Sequence, residues 1–191
     1  VVLLTLAVSV LFGFAYISSY LFNNVLESHQ QDRINVWLNP EDCDPRGSLY
    51  NILQSKIAIG SGGFTGKGYL QGTMTKLNYV PEQSTDFIYS IIGEEHGFIG
   101  SIAVIMLFLI LMLRVVDIGE RARIPFIRHY AFGVVGVVFT HVLVNIGMTM
   151  GLMPVIGIPL PFISSGGSSL LGFSLLIGIL LSMDSSWVRS R

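Results

Sequence analysis

Charge is what this sequence lacks most. Asp, Glu, Lys and Arg make up only 12% of its 191 residues, where a soluble domain carries about 25%. The deficit is uneven: none of the four occurs in residues 1–26, 96–113 or 129–183. Such stretches exclude an ordinary soluble fold, because about 20 apolar helical residues cross the roughly 30 Å hydrocarbon core of a bilayer. Cysteine is nearly absent too. Cys43 alone permits neither an intrachain disulfide nor a cysteine-built metal cluster. The four histidines (His29, His96, His129 and His141) share no ligand spacing such as HExxH, so no metal ligand is assigned. A net charge of −1 provides no basic field, and nucleic acid is not expected as a partner. The chain opens at Val1 inside an apolar run, with no initiator Met and no charged segment ahead of it. It therefore reads as a piece of a longer protein and not as a signal peptide.

What is present is apolar sequence in blocks of membrane-span length. The expected spans are residues 1–22, 98–116, 130–150 and 168–184. Each must be helical, since lipid offers no partner to unpaired backbone groups. The fold class is thus an all-α integral membrane protein, a polytopic helix bundle. Loop charge orients it. Arg114, Arg121, Arg123 and Arg128 cluster around the 117–129 loop, and Arg189 and Arg191 lie in the 185–191 tail, whereas 151–167 holds no charge. The first two are read as cytoplasmic; 23–97 and 151–167 are read as extracytoplasmic. A 75-residue loop is too long to be an idle connector, and its apolar runs between glycines predict short helices lying against the outer membrane face. Chemistry is expected there.

Several motifs in the loops admit both a functional and a structural reading. The run 57–68, Ile-Ala-Ile-Gly-Ser-Gly-Gly-Phe-Thr-Gly-Lys-Gly, invites comparison with a phosphate loop. Walker spacing needs Gly at 61 and Ser or Thr at 68, and dinucleotide spacing needs Gly at 65, so both fail. Two readings remain: converging amides near Lys56 and Lys67 that receive an anion, or turns that need positive φ. Asp86 follows Pro81 and precedes an apolar helix, so it could cap that helix or act as a carboxylate at the water–lipid boundary. In a continuous helix Glu94 would stand about 12 Å from Asp86 along the axis, too far to share one catalytic event. Glu94 is expected to pair with a basic group at the membrane edge. Prolines and glycines exclude a regular helix from 151–167. His141 and Asn145, one turn apart, are expected to hydrogen-bond between helices, and Gly147-x-x-x-Gly151 fits helix packing.

These strings, taken in order, resemble the SEDS family of bacterial cell-wall synthases. They are Gln54-Ser55-Lys56-Ile57-Ala58-Ile59-Gly60-Ser61-Gly62-Gly63, Gly66-Lys67-Gly68, Gly72-Thr73, Pro81-Glu82, Thr85-Asp86-Phe87, Gly93-Glu94-Glu95, Asn145-Ile146-Gly147-Met148 and Pro159-Leu160-Pro161. The match covers about the last four-fifths of the chain and is closer to the elongation (RodA) branch than to the division (FtsW) branch. Ser84, Ser165 and Met74 depart from the family's usual histidine, tyrosine and glutamine.

The resemblance implies a ten-helix fold of which this chain holds the last four spans, in the bacterial inner membrane. It implies polymerisation of lipid II during elongation and shape maintenance, with a class B penicillin-binding protein as partner. It places the family's essential acid on Asp86. Lys56, Ser61, Gly62, Gly63, Lys67, Lys76, Glu82, Thr85, Ser164, Gly166 and Gly167 are the expected substrate-binding residues. One inverting displacement converts an α-linked diphosphate donor into a β-1,4 product, and a diphosphate leaves without a second acid. It does need cationic compensation, from Lys56, Lys67 and Lys76, with a divalent cation (Mg or Mn) as a candidate cofactor. The rival readings are a precursor flippase, which would need ionisable groups inside its spans, and a non-catalytic scaffold.

Overall fold

The computed structural model describes residues 20, 22, 24–43, 47–77 and 79–189. The expected first span, 1–22, lies outside the described residues apart from Tyr20 and Phe22. Six α-helices follow: α1 (Ser28–Leu38), α2 (Ser48–Ser61), α3 (Thr73–Lys76), α4 (Ile88–Arg121), α5 (Pro125–Thr149) and α6 (Gly167–Arg189), with a 3-10 turn at Pro40–Asp42. Among the described residues there is no strand. Local sequence explains several ends. Glu27 and Gln30 form a reciprocal capping box at the start of α1. Pro125 occupies the first turn of α5, where its missing N–H costs nothing.

Helices α4, α5 and α6 are long and apolar enough to cross a membrane, with window hydropathies of 2.7, 1.9 and 1.6. The chain is a multi-pass membrane protein. Expected spans 98–116, 130–150 and 168–184 fall on these helices, all three of which run several residues further at one end or both, while α5 stops at Thr149. Their shared core contains Phe108, Val115 and Ile118 of α4, Val134, Val138 and Val142 of α5, and Phe173 and Leu180 of α6. Helices α1 to α3 and the 151–167 loop collect at one end of this bundle. A second small cluster there joins Ala58, Val80 and Phe87, with Met74 and Val155 packed on it.

Helix α4 is broken at Gly97, which has φ 64° and ψ −158°. The break is filled by the glycine-rich run. In an unbroken helix the amides of Phe98 and Ile99 would bond the carbonyls of Glu94 and Glu95. Here they donate instead to Gly63 O at 2.9 Å and Phe64 O at 3.2 Å. The released carbonyls of Glu94 and Glu95 accept from the amides of Lys67 and Gly68, each at 3.0 Å. The four backbone groups that the break releases are thus all paired, as a site at the membrane edge requires. The approach is close enough that Cβ atoms on Gly62 and Gly66 would overlap the carbonyls of Gly93 and Glu95. Gly62 and Gly66, four apart, thus face Gly93 and Gly97, also four apart. The pair Gly147 and Gly151, expected to pack helices, does something else: these glycines make room for Met153 and Lys56, whose side chains a Cβ would meet.

Candidate functional site

Asp86 lies in the turn between Pro81 and α4. Glu82 opens it in a left-handed conformation (φ 49°), uncommon for a residue with a side chain. Its carbonyl then accepts from the amides of Thr85, Asp86 and Phe87 at 3.2, 3.0 and 3.3 Å. The N-cap of α4 is Phe87, with no side-chain cap bond. The capping role considered for Asp86 and Thr85 is therefore not the one they play.

Three successive carbonyls of this turn are held from outside. Ser84 O accepts from both N and Oγ of Ser165, each at 2.9 Å. Thr85 O accepts from Ser164 Oγ at 2.6 Å, and Asp86 O accepts from Asn145 Nδ2 at 2.8 Å. Asn145 also donates to Ile158 O at 2.8 Å, and His141 Nδ1 lies 3.3 Å from Pro159 O. The expectation of interhelical bonding for His141 and Asn145 is thus corrected: both serve the irregular 151–167 loop. That loop is bent by three prolines and four glycines, so its carbonyls need partners from outside. Two of the departures from the family pattern, Ser84 and Ser165, meet in a single contact, and Met74 packs into the cluster beneath the turn.

The loop also comes close to the acid itself. Gly157 has φ 80°, and a Cβ there would stand 3.1 Å from Asp86 Oδ2. Helix α1 straps this stretch down. Trp37 Nε1 donates to Leu152 O at 2.9 Å, and Arg33 donates to Val155 O at 3.2 Å and Ile156 O at 3.4 Å. Arg33 was not among the sequence-derived site residues. Its signal, a lone arginine one helical turn from a tryptophan, does not say what it faces.

The Asp86 carboxyl is raised from its ordinary value. Partial burial is the largest cause, a hydrogen bond from Thr85 opposes it, Glu82 pushes it further up and Arg33 draws it down.

The other expected residues are distributed as follows. Lys67 is committed to Glu94: its Nζ lies 2.8 Å from Oε1, and it also reaches Thr73 Oγ1. Glu94 is fully buried and also accepts from the amides of Met74 and Thr75 and from Thr75 Oγ1. This is the basic partner expected for Glu94. The pairing occupies the Lys67 ammonium, and the amides of Lys67 and Gly68 are spent on the helix break. Of the two readings of the glycine run, the structural one accounts for those amides. Gly62 is buried against α4, while Ser61 and Gly63 are exposed. Lys56 and Lys76 are exposed, Lys56 lying over Gly151, where a Cβ would be 2.6 Å from its Nζ. Gln83 Nε2 donates to Thr75 O, tying α3 and Lys76 to the Asp86 turn. Gly166 and Gly167 open α6 without bonding that turn. Among the described residues no three His, Cys, Asp or Glu side chains gather to hold a metal ion. An apolar groove of about 330 Å³, lined by Ile105, Leu109, Phe139 and Leu143, lies between α4 and α5 away from Asp86.

Comparison with known proteins agrees with this architecture. Residues 1–187 match the family model of FtsW, RodA and SpoVE, described as "Cell cycle protein". The chain is 43% identical over 159 residues to "Peptidoglycan glycosyltransferase MrdB" of Escherichia coli (strain K12), covering 83% of this chain and 43% of that protein. It is 44% identical over 170 residues to "Peptidoglycan glycosyltransferase RodA" of Treponema pallidum, covering 89% and 39%. It also superposes, with a TM-score of 0.71 and 26% identity, on a chain of a structure described as "Structural coordination of polymerization and crosslinking by a peptidoglycan synthase complex", covering 94% of this chain and 48% of that one. The chain spans less than half the length of these relatives. With nearly its whole length matched and these motifs in order, the chain belongs to the FtsW, RodA and SpoVE family, the SEDS family of the bacterial cell wall.

Proposed function

We propose that the protein of which this chain is part polymerises lipid II into glycan strands at the outer face of the bacterial inner membrane, with Asp86 as the general base. The observation that carries this reading is the setting of Asp86: a carboxyl raised by burial, on a turn whose three successive carbonyls are pinned by Asn145, Ser164 and Ser165. A base must be ionised when needed and held at hydrogen-bond reach of its proton. A pinned backbone limits the positional freedom that would otherwise be lost at the transition state.

In this reading the acceptor 4-hydroxyl lies against Asp86 and loses its proton as its oxygen attacks the donor anomeric carbon. The bond to the diphosphate breaks on the opposite face, with inversion. Lys56 and Lys76, exposed and in no ion pair among the described residues, are cations available to the leaving diphosphate. Thr85 and Glu82 tune the base from its own turn. The relatives' names and the family support glycosyl transfer in elongation, and a class B penicillin-binding protein is the proposed partner.

The test is polymerisation of lipid II by the full-length protein with that partner, comparing wild type with Asp86→Asn. The variant should insert and bind its partner normally while polymerisation falls by about 10²-fold or more. An active Asp86→Asn protein would leave this chain a scaffold.

A further inference from the structure

We propose that Arg33 is a positioning residue for the reaction at Asp86, holding the 155–157 backbone over the carboxylate and presenting a positive charge to it. This inference rests on the reading of Asp86 as the base. Arg33 and Trp37 are one helical turn apart, so they project from the same face of α1. Between them they bind Leu152, Val155 and Ile156 through backbone carbonyls. The next residue is Gly157, whose Cα is the backbone position that faces Asp86 Oδ2. Loosening Arg33 therefore loosens the wall of the site one residue away. The contact is made with carbonyls, which any loop sequence would offer, so it fixes the loop's position and not its side chains.

Charge adds a second effect. Two charged groups act on the Asp86 carboxyl: Glu82 in its own turn, which raises it, and Arg33 on α1, which lowers it. The other packed elements act less on it: α3, tied to the turn through Gln83 and Thr75, carries the exposed Lys76, and Lys67 beyond it is paired with Glu94. The 151–167 loop has no charge, α5 meets the turn through neutral Asn145, with His141 a turn away at Pro159 O, and Lys56 lies against Gly151 at the loop's other end. Arg33 thus counterbalances Glu82. A guanidinium suits this double duty, since one nitrogen can stay on the two carbonyls while the delocalised charge is felt beyond them.

The experiment is the pH profile of kcat/KM for lipid II polymerisation by full-length protein with its partner, for wild type, Arg33→Gln, Arg33→Lys, Trp37→Phe and Asp86→Asn. Arg33→Gln should move the acid limb to higher pH. At a pH on that limb it should lose at least about threefold more activity than at the plateau, and the extra loss should shrink with added salt because Arg33 is exposed. Arg33→Lys should restore the acid limb while leaving the plateau below wild type, since ammonium keeps the charge but not the planar fork. Trp37→Phe loses one strap bond without changing charge, so its plateau should drop and its acid limb stay put. An Arg33→Gln protein with a wild-type plateau and acid limb, alongside an inactive Asp86→Asn, overturns this inference alone. Full activity in Asp86→Asn overturns the underlying assignment of the base.

Discussion

Gly157 and Asp86 face each other across the site so closely that a single methyl on Gly157 would sit 3.1 Å from Asp86 Oδ2. The backbone at Gly157 also has φ 80°, a region costing roughly 1–3 kcal/mol for a residue with a side chain. Gly157→Ala is therefore expected to keep the bundle folded yet reduce polymerisation by about tenfold or more, through displacement of the carboxylate. Size-exclusion elution and partner binding should match wild type. A fully active Gly157→Ala protein would show that the carboxylate does not need this wall.

The upward shift of Asp86 carries a sign that can be tested. Burial raises its folded value above 3.8, with Thr85 opposing, Glu82 adding and Arg33 subtracting. An acid whose folded value exceeds its unfolded one destabilises the fold at any pH above both, and this penalty disappears as pH falls below the unfolded value. Asp86→Asn should therefore raise the thermal midpoint at neutral pH while lowering turnover by about 10²-fold or more. Glu82→Gln should move the acid limb of kcat/KM to lower pH, opposite to the shift expected for Arg33→Gln. An Asp86→Asn midpoint below wild type at neutral pH would contradict this account of the carboxyl.

Asn145 is fully buried, and its amide donates to carbonyls on two separate segments, Asp86 and Ile158. Leucine of similar volume at this position would leave both acceptors without their donor, at a cost of about 1–3 kcal/mol each. Asn145→Leu should lower the thermal midpoint and reduce polymerisation more than stability alone explains at matched protein levels. Wild-type values for both would remove Asn145 from the positioning of the turn.

Glu94 and Lys67 offer a contrast, because their pairing is structural. Glu94→Gln strands part of the Lys67 charge and should destabilise the protein by about 3 kcal/mol, visible as low folded yield. Turnover per folded molecule should survive. In the double variant Glu94→Gln, Lys67→Met, stability should partly recover, since the two effects are coupled. Loss of turnover in that double variant at matched levels would return Lys67 to the substrate site.

What the sequence could and could not reveal follows from the range of each interaction. Apolar blocks of span length are local, so 98–116, 130–150 and 168–184 were legible as helices. A basic partner for Glu94 was legible from its place at the membrane edge, while Asp86 was legible only as an acid at a chain turn that could cap or react, its role coming from the family resemblance. The partners of that turn were not legible. Asn145 is 59 residues from Asp86, and Arg33 is 122 residues from Val155; no periodicity connects such pairs. The glycine spacing shows the same limit. Gly147-x-x-x-Gly151 and Gly62-x-x-x-Gly66 look alike as strings, yet only the second faces another glycine pair, because only it meets a helix broken at Gly97.

The clasp on the Asp86 turn also fixes an order in time. The ribosome makes Ser84, Thr85 and Asp86 well before their partners: Asn145 comes 59 residues after Asp86, Ser164 79 after Thr85 and Ser165 81 after Ser84. At roughly 5–20 residues per second, that gap lasts several seconds of synthesis. Throughout it the turn has its internal bonds to Glu82 and the tie from Gln83 to Thr75, but none of its anchors from Asn145, Ser164 and Ser165. A nascent chain, or one truncated before residue 145, therefore carries the acid without the frame that aims it, and the turn gains its frame only when the 151–167 loop has been delivered.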